Sequence, residues 1–305
     1  MGRNVIKVKD LTKKYNGTVA VEGISFKVRE GEIFSLVGPN GAGKTTTVEI
    51  LECLRKPTSG DATVLGHNIL EEEAKIKEKI GVMPQNFNTL ERLTARENIQ
   101  LMADIYGSKN IDEILKKVGV DEFEDKKFAD LSGGMKTKVG IGMTLISNSD
   151  LLFLDEPTTG LDPHARRETW NLIKELKKMG KTVFLTTHYM EEVENLSDRA
   201  AILIDGEIEV IDTIENLIED HGGGMKVKVF DNGEAIEIIE ESADEVIKGG
   251  KKSLTTGIFD DKKEARQVLI KLFQLDCEVE VEEAGMDEVF IRLTGGKIDE
   301  GGELV

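Results

Sequence analysis

Residues 38–46 read Gly38-Pro39-Asn40-Gly41-Ala42-Gly43-Lys44-Thr45-Thr46, which is the spacing G-x-x-x-x-G-K-[ST] of a nucleotide-phosphate loop. An apolar run, Ile33-Phe34-Ser35-Leu36-Val37, precedes it and reads as a buried strand; a helical stretch from Thr45 to Leu54 follows. Strand, glycine-rich loop and helix form the context in which this spacing binds phosphate. The glycines allow the tight turn that points backbone N–H groups at phosphate oxygens, and the helix N-terminus adds partial positive charge. Lys44 supplies a full charge for the β- and γ-phosphates, and the Thr45 hydroxyl can ligate Mg²⁺. These residues predict a bound nucleoside triphosphate; its purpose has to come from the rest of the chain.

A chain of 305 residues has room for one large domain and a small one. Its net charge of −18 argues against nucleic-acid binding by a basic surface and against polybasic attachment to anionic lipid. No apolar stretch approaches the roughly 18 residues of a membrane helix, and the opening MGRNVIKVKD lacks the apolar core of a signal peptide. Two cysteines, Cys53 and Cys277, make neither a disulfide framework nor a metal cluster. The expected compartment is the cytoplasm, and work at a membrane would require another chain to cross the bilayer.

Around the loop the patterns alternate. Val5, Val8, Leu11 and then Val19, Val21, Ile24, Phe26 and Val28 predict two antiparallel strands. From about Asn86 to Asn148 the chain reads as mostly helical, with Thr94 and Glu97 forming a capping box and Ser132 opening a further helix. Strand and helix then alternate again to about residue 220, which predicts an α/β nucleotide-binding domain (1–220) with an inserted helical subdomain (about 86–148). His221-Gly222-Gly223-Gly224 reads as a linker. Residues 225–295 predict a small α+β domain, with strands at 225–230 and 234–240 and an amphipathic helix at 261–275. Residues 296–305 read as a frayed, glycine-rich tail. Residues 225–305 hold 20 acidic and 11 basic side chains, so this region carries half of the chain's net charge and offers no basic groove.

Leu151-Leu152-Phe153-Leu154 is a continuous apolar run ending in Asp155 and Glu156, as expected of a strand buried on both faces. If it lies parallel to the phosphate-loop strand, Asp155 arrives beside Lys44 and Mg²⁺ and holds the metal through water. Glu156, one residue on, is the candidate general base for the attacking water.

Leu131-Ser132-Gly133-Gly134-Met135-Lys136 lies ahead of that strand and resembles the LSGGQ signature of ABC-type ATPases. The resemblance extends in order from about residue 3 to 220 through Tyr15, Gly38–Thr46, Gln85, Leu131–Met135, Leu151–Glu156, Gly160-Leu161-Asp162 and His188. It implies two copies meeting head to tail with ATP between them, the phosphate loop of one facing Ser132-Gly133-Gly134 of the other. It further implies that Tyr15 stacks on adenine, that Gln85 touches Mg²⁺ or the attacking water, that His188 contacts the γ-phosphate, and that Asp162 lies at the dimer interface. The chemistry agrees: a tyrosine offers a π face, and Ser132 with two glycine N–H groups opens a helix that can take an anion. Met135 departs from the family's usual Gln and makes no strong hydrogen bond, which puts in doubt only a polar contact at that position.

Residues 84–98 (PQNFNTLERLTARENI spans 84–99) contain Leu93-Thr94-x-Arg96-Glu97-Asn98 and look like transporter ATPases that dock there on a membrane subunit. GLDPHARRETW (160–170) and MDEVFIRLTGG (286–296) resemble ABC-2-type exporter subunits for drugs, lipids or polysaccharides. The implied function is ATP-driven closure and hydrolysis-driven reopening that powers a separate permease from the inner membrane face. The alternatives are an importer ATPase with a regulatory C-terminal domain and a non-transport ABC ATPase. The implied partners are a permease and a second ATPase subunit, identical or closely paralogous, with ATP and Mg²⁺ as cofactors and no nucleic acid.

Overall fold

The computed structural model describes residues 2–295 apart from Lys109, Asp231, residues 249–253 and Asp276; the expected tail at 296–305 lies outside the described residues. The chain divides into two compact units, Met1–Asp212 and Thr213–Val305.

The first unit begins with β1 (Asn4–Tyr15) and β2 (Thr18–Arg29), paired antiparallel as the alternation predicts. β3 (Ile33–Val37) leads into the phosphate loop and α1 (Lys44–Leu51), which stops three residues before the expected Leu54 because Cys53 turns to φ +59°. β4 (Ser59–Val64) and the short β5 (His67–Asn68) join the antiparallel sheet in the order β2-β1-β4-β5. α2 (Glu73–Lys77) and β6 (Ile80–Met83) return the chain to the main sheet.

The helical block holds α3 (Ala95–Tyr106), α4 (Ile111–Val118) and α5 (Gly133–Ile146). Thr94 and Glu97 form the expected capping box on α3. β7 (Leu151–Asp155), α6 (Pro163–Lys178), β8 (Thr182–Thr187), α7 (Met190–Leu196), β9 (Arg199–Ile204) and β10 (Glu207–Thr213) complete the alternation. The main sheet runs β10-β9-β3-β8-β7-β6, with β9, β3, β8, β7 and β6 mutually parallel. Every residue of β3, β7 and β8 is buried, as required of strands covered on both faces. One face presents Phe34, Phe153 and Phe184, with Phe34–Phe184 and Phe153–Phe184 centroids at 5.6 and 5.4 Å. The other face presents Leu152, Leu154, Val183 and Leu185 to Trp170, Ile173 and the helical block.

In the second unit α8 (Ile214–Leu217) continues into a π-helical turn, Ile218–Gly222. That segment packs against α11 (Met286–Thr294), so the unit boundary falls at Asp212/Thr213, ahead of the expected glycine-rich linker at 221–224. Between them lie β11 (Met225–Phe230), α9 (Gly233–Ser242), β12 (Glu245–Lys248), β13 (Leu254–Phe259), α10 (Lys262–Leu272) and β14 (Val279–Glu282). The order βαββαβ with sheet sequence β12-β13-β11-β14, antiparallel throughout, is the ferredoxin-like split βαβ arrangement. Val227, Val229 and Phe259 meet Ala235 and Ile239 of α9 and Ala265, Val268 and Leu272 of α10. The expected strand at 234–240 is therefore corrected to helix. Asn232 caps it by accepting from Ala235 N, and its buried residues Ala235 and Ile239 recur at helical spacing.

Candidate functional site

The phosphate loop sits where β3 meets α1. Gly43 has φ +104°, and a Cβ there would lie 2.3 Å from the Ala20 carbonyl oxygen, so only glycine admits this approach of the loop to β2. Gly38 and Ala42 are buried and Gly43 is partly so, while Asn40, Gly41 and Thr45 are exposed, with Pro39 and Thr46 between. Lys44 is buried and donates from Nζ to the carbonyl oxygens of Gly38 (2.7 Å) and Pro39 (3.1 Å). Burial lowers its ammonium pKa, and the charge and hydrogen bond of Glu156 offset part of that.

β7 brings its two carboxylates to the same end of the sheet. Asp155 pairs in register with Thr186 of β8, and the Thr186 hydroxyl donates to Asp155 Oδ1. Burial raises the Asp155 pKa, against hydrogen bonds from Thr186 and Thr45 and the charge of Lys44. Glu156 turns to φ +48°, a left-handed conformation unusual outside glycine; its N–H is held by the Thr186 carbonyl and hydroxyl oxygens, each at 3.1 Å. Its carboxylate is the meeting point of the site. Glu156 Oε1 lies 3.6 Å from Lys44 Nζ, and Oε2 accepts from Gln85 Nε2 (2.8 Å) and Thr159 Oγ1 (3.1 Å) and lies 3.3 Å from His188 Nδ1. Burial alone would raise the Glu156 pKa, but the His188 hydrogen bond and the Lys44 and His188 charges outweigh it and hold the carboxyl below its ordinary value.

Lys44, Thr45, Gln85, Asp155, Glu156 and His188 thus converge, although they come from four separate stretches of chain. The other expected residues stand apart from that cluster. Tyr15 ends β1 half-buried, with Lys13 Nζ 5.0 Å and the Arg55 guanidinium 5.7 Å from its ring centroid. Asp162 is exposed and caps α6, accepting from His164 N (3.0 Å) and Ala165 N (2.9 Å). Ser132 caps α5 by accepting from Met135 N at 3.4 Å. A Cβ on Gly134 would lie 2.8 Å from Ala165 Cβ, so this glycine also lets α5 approach α6. Met135 packs against the helical core. A tie from this corner to the carboxylate strand runs through Thr137, whose hydroxyl lies 3.4 Å from the Pro157 carbonyl oxygen it donates to.

Sequence reasoning missed Thr186, Thr159 and Glu52. Thr186 and Thr159 lie in stretches of Thr-Thr with nothing to single them out. Glu52 is buried just after α1, and burial, with the charges of Asp155 and Glu49, pushes its carboxyl up to about 8.

The donor set suits a nucleotide with a hard cation. Asp155, Thr45 and Gln85 offer oxygen donors, as Mg²⁺ requires, beside a loop whose N–H groups and Lys44 suit phosphate. Among the described residues no cluster of His, Cys, Asp and Glu forms a metal cage.

The family profile described as ABC transporter matches residues 21–159. The linearmycin resistance ATP-binding protein of Bacillus subtilis (strain 168) is 40% identical over 235 residues, covering 75% of this chain and 76% of that protein. The daunorubicin/doxorubicin resistance ATP-binding protein of Streptomyces peucetius is 32% identical over 97% of this chain and 94% of its own length. The Nod factor export ATP-binding protein I of Rhizobium sp. (strain N33) is 33% identical over 98% of this chain and all of its own length (100%). Among solved structures, a dimeric ATP-binding cassette in a post-hydrolysis state with ADP and Pi superposes with a TM-score of 0.62 at 32% identity, covering 68% of this chain and 98% of that one.

Proposed function

This chain belongs to the ABC transporter family of ATP-binding, ATP-hydrolysing proteins, and on that footing we propose that it powers export through a separate membrane permease. Support for export comes from coverage. The daunorubicin/doxorubicin resistance and Nod factor export proteins match this chain along nearly its whole length, second unit included.

The observation that carries the catalytic reading is the Glu156 carboxylate, held between Lys44, Gln85, Thr159 and His188. A carboxylate kept ionised at that point takes a proton from water attacking the γ-phosphate. Lys44 exchanges its carbonyl partners for the β- and γ-phosphates, and His188 orients the γ-phosphate from the adjacent end of β8. Thr45, Asp155 and Gln85 would hold Mg²⁺, which neutralises charge on the β- and γ-phosphate oxygens when bound. Tyr15 receives the adenine. Ser132, Gly133 and Gly134 of a second copy supply the remaining anion site, and Asp162 lies at the face between copies.

For the permease, a groove of about 350 Å³ lies beside the strand end that carries Gln85, lined in part by Pro84, Phe87, Met102 and Tyr106. Leu54 at its rim is 62% exposed, and Leu101 and Ile105 on α3 are 38% and 66% exposed; this much exposed apolar surface suits a partner's apolar segment. Among the described residues no helix is long and apolar enough to cross a membrane, so the reading places the chain at the inner membrane face through that partner. The test is ATP hydrolysis by the full chain and co-purification from detergent-solubilised membranes. Turnover and recovery of an integral membrane protein are expected; recovery with ribosomes and no membrane protein would contradict the transport reading.

A further inference from the structure

Among the described residues, the most deeply buried acid lies outside the nucleotide site. Glu192 on α7 is fully buried (0% exposed). Its Oε1 accepts two hydrogen bonds, from Thr158 Oγ1 at 2.8 Å and from Trp170 Nε1 at 2.9 Å. Its Oε2 is buried without a hydrogen-bond partner among the described residues. Burial raises its pKa, against the polar groups of Thr187, Thr158 and Trp170 and the charge of Arg166 nearby. A half-satisfied carboxyl in the core costs stability relative to an apolar side chain of similar volume, so stability does not explain its place.

What it connects does. Thr158 is buried two residues past Glu156, at the start of the turn that ends in the α6 cap, Asp162. Glu192 lies one helical turn beyond His188, on the helix that continues the His188 loop. That loop is itself clamped: Tyr189 N donates to Thr187 Oγ1 (3.0 Å), the His188 and Tyr189 ring centroids lie 4.2 Å apart with the rings tilted by 39°, and the Arg166 guanidinium lies 4.3 Å from the Tyr189 ring centroid. Glu192 therefore joins three segments that the chain order keeps apart: the turn after Glu156, the His188 loop, and α6 through Trp170.

We infer that Glu192 is a positioning residue for ATP turnover: through Thr158 it holds the Glu156–Asp162 segment in register with the His188 loop. The inference rests on the reading of the Lys44–Glu156 site as the ATPase centre. It assigns Glu192 no contact with nucleotide, so nucleotide affinity and turnover separate when the joint is cut. A γ-phosphate sensed at His188 then shifts the Asp162 turn, and loss of the joint leaves binding intact while slowing the chemical step.

The experiment measures steady-state ATPase of the full chain and four variants, with thermal melting and Trp170 emission beside it; Trp170 is the single tryptophan and reports on its own hydrogen bond to Glu192. T158V removes one donor at nearly constant volume and is expected to lower kcat about tenfold with KM for ATP within about twofold. E192L removes the acceptor and is expected to lower kcat by a similar or larger factor, again at unchanged KM, and to shift the Trp170 emission. E192Q keeps an acceptor oxygen for both donors and is expected to retain kcat within about threefold, with wild-type emission. In the double variant T158V/E192L the losses do not multiply, because both cut the same bond. Unchanged kcat in T158V overturns the inference, as does a rise in KM that accounts for the loss. If E192L does not fold, T158V and E192Q decide. The ATPase reading falls separately, if the unmodified chain hydrolyses no ATP, and takes the inference with it.

Discussion

The chain builds two corners that suit an anion, and they are finished to different degrees. At the phosphate loop the charged side chains are answered from within the same chain: Lys44 by two carbonyl oxygens and Glu156, Asp155 by Thr186, Glu156 by Gln85 and Thr159. At the start of α5, Ser132 serves its own helix, and Gly133 and Gly134 are shaped by Leu161 and Ala165. On the proposed function the first corner binds nucleotide alone, and the second contributes only when another molecule brings a phosphate to it. An anion site at a helix start is thus cheap to make, and what distinguishes a catalytic one is the charged network behind it.

That contrast can be broken in graded steps. The largest effect is expected at Glu156. Glu156→Gln removes the base while keeping hydrogen-bonding capacity, and should lower kcat about 100-fold or more, about 2.7 kcal/mol, with ATP affinity preserved. A variant that still hydrolyses ATP within about fivefold of the parent would place the base elsewhere.

Next comes Glu52, whose carboxyl is pushed up to about 8 in the folded protein. A carboxyl raised above its unfolded value binds its proton more tightly in the fold. Stability therefore falls as pH rises from the unfolded value near 4.5 through the folded value of about 8. Glu52→Gln removes that dependence, so its gain over the parent should grow by about 2 kcal/mol between pH 6 and pH 8. Urea melts at the two pH values read it directly, and parallel curves for parent and variant would show that the carboxyl titrates normally.

At the other corner, Ser132→Ala should leave nucleotide binding to the single chain unchanged and slow turnover about tenfold, since it removes one donor to the γ-phosphate and a helix cap. Equal weakening of binding would mean that the Ser132 corner serves its own chain's nucleotide. The smallest effect is expected at Met135→Gln, less than tenfold in turnover or about 1.4 kcal/mol, because Met135 packs against the helical core and leaves the N–H groups of Gly133 and Gly134 in place. A loss as large as that of Glu156→Gln would show that position 135 is part of the chemistry.

Much of this was legible in the residues. The phosphate loop, the paired carboxylates after β7, the capping box at Thr94 and Glu97 and the cap at Ser132 are local patterns, and local patterns survive folding. The second unit was less legible: 234–240 offers Ala235, Ile236, Ile238 and Ile239, a spacing that suits strand and helix about equally until packing against β11 and β13 decides. Glu192 was not legible at all, because its partners Thr158 and Trp170 lie 34 and 22 residues away and meet it only in three dimensions. Likewise the Gly134–Ala165 approach gives the glycine a packing reason that the signature alone does not contain.

The central claim is that the site is half a site, and light scattering tests it most directly. The full chain carrying Glu156→Gln, which retains bound ATP, is measured with and without MgATP, alongside a second preparation carrying Ser132→Arg in addition. The account predicts that MgATP doubles the mass from 33.7 kDa for Glu156→Gln and leaves the Ser132→Arg form a single chain with ATP still bound. Nucleotide-saturated protein that stays monomeric in both forms while the parent hydrolyses ATP at a rate independent of protein concentration would contradict it.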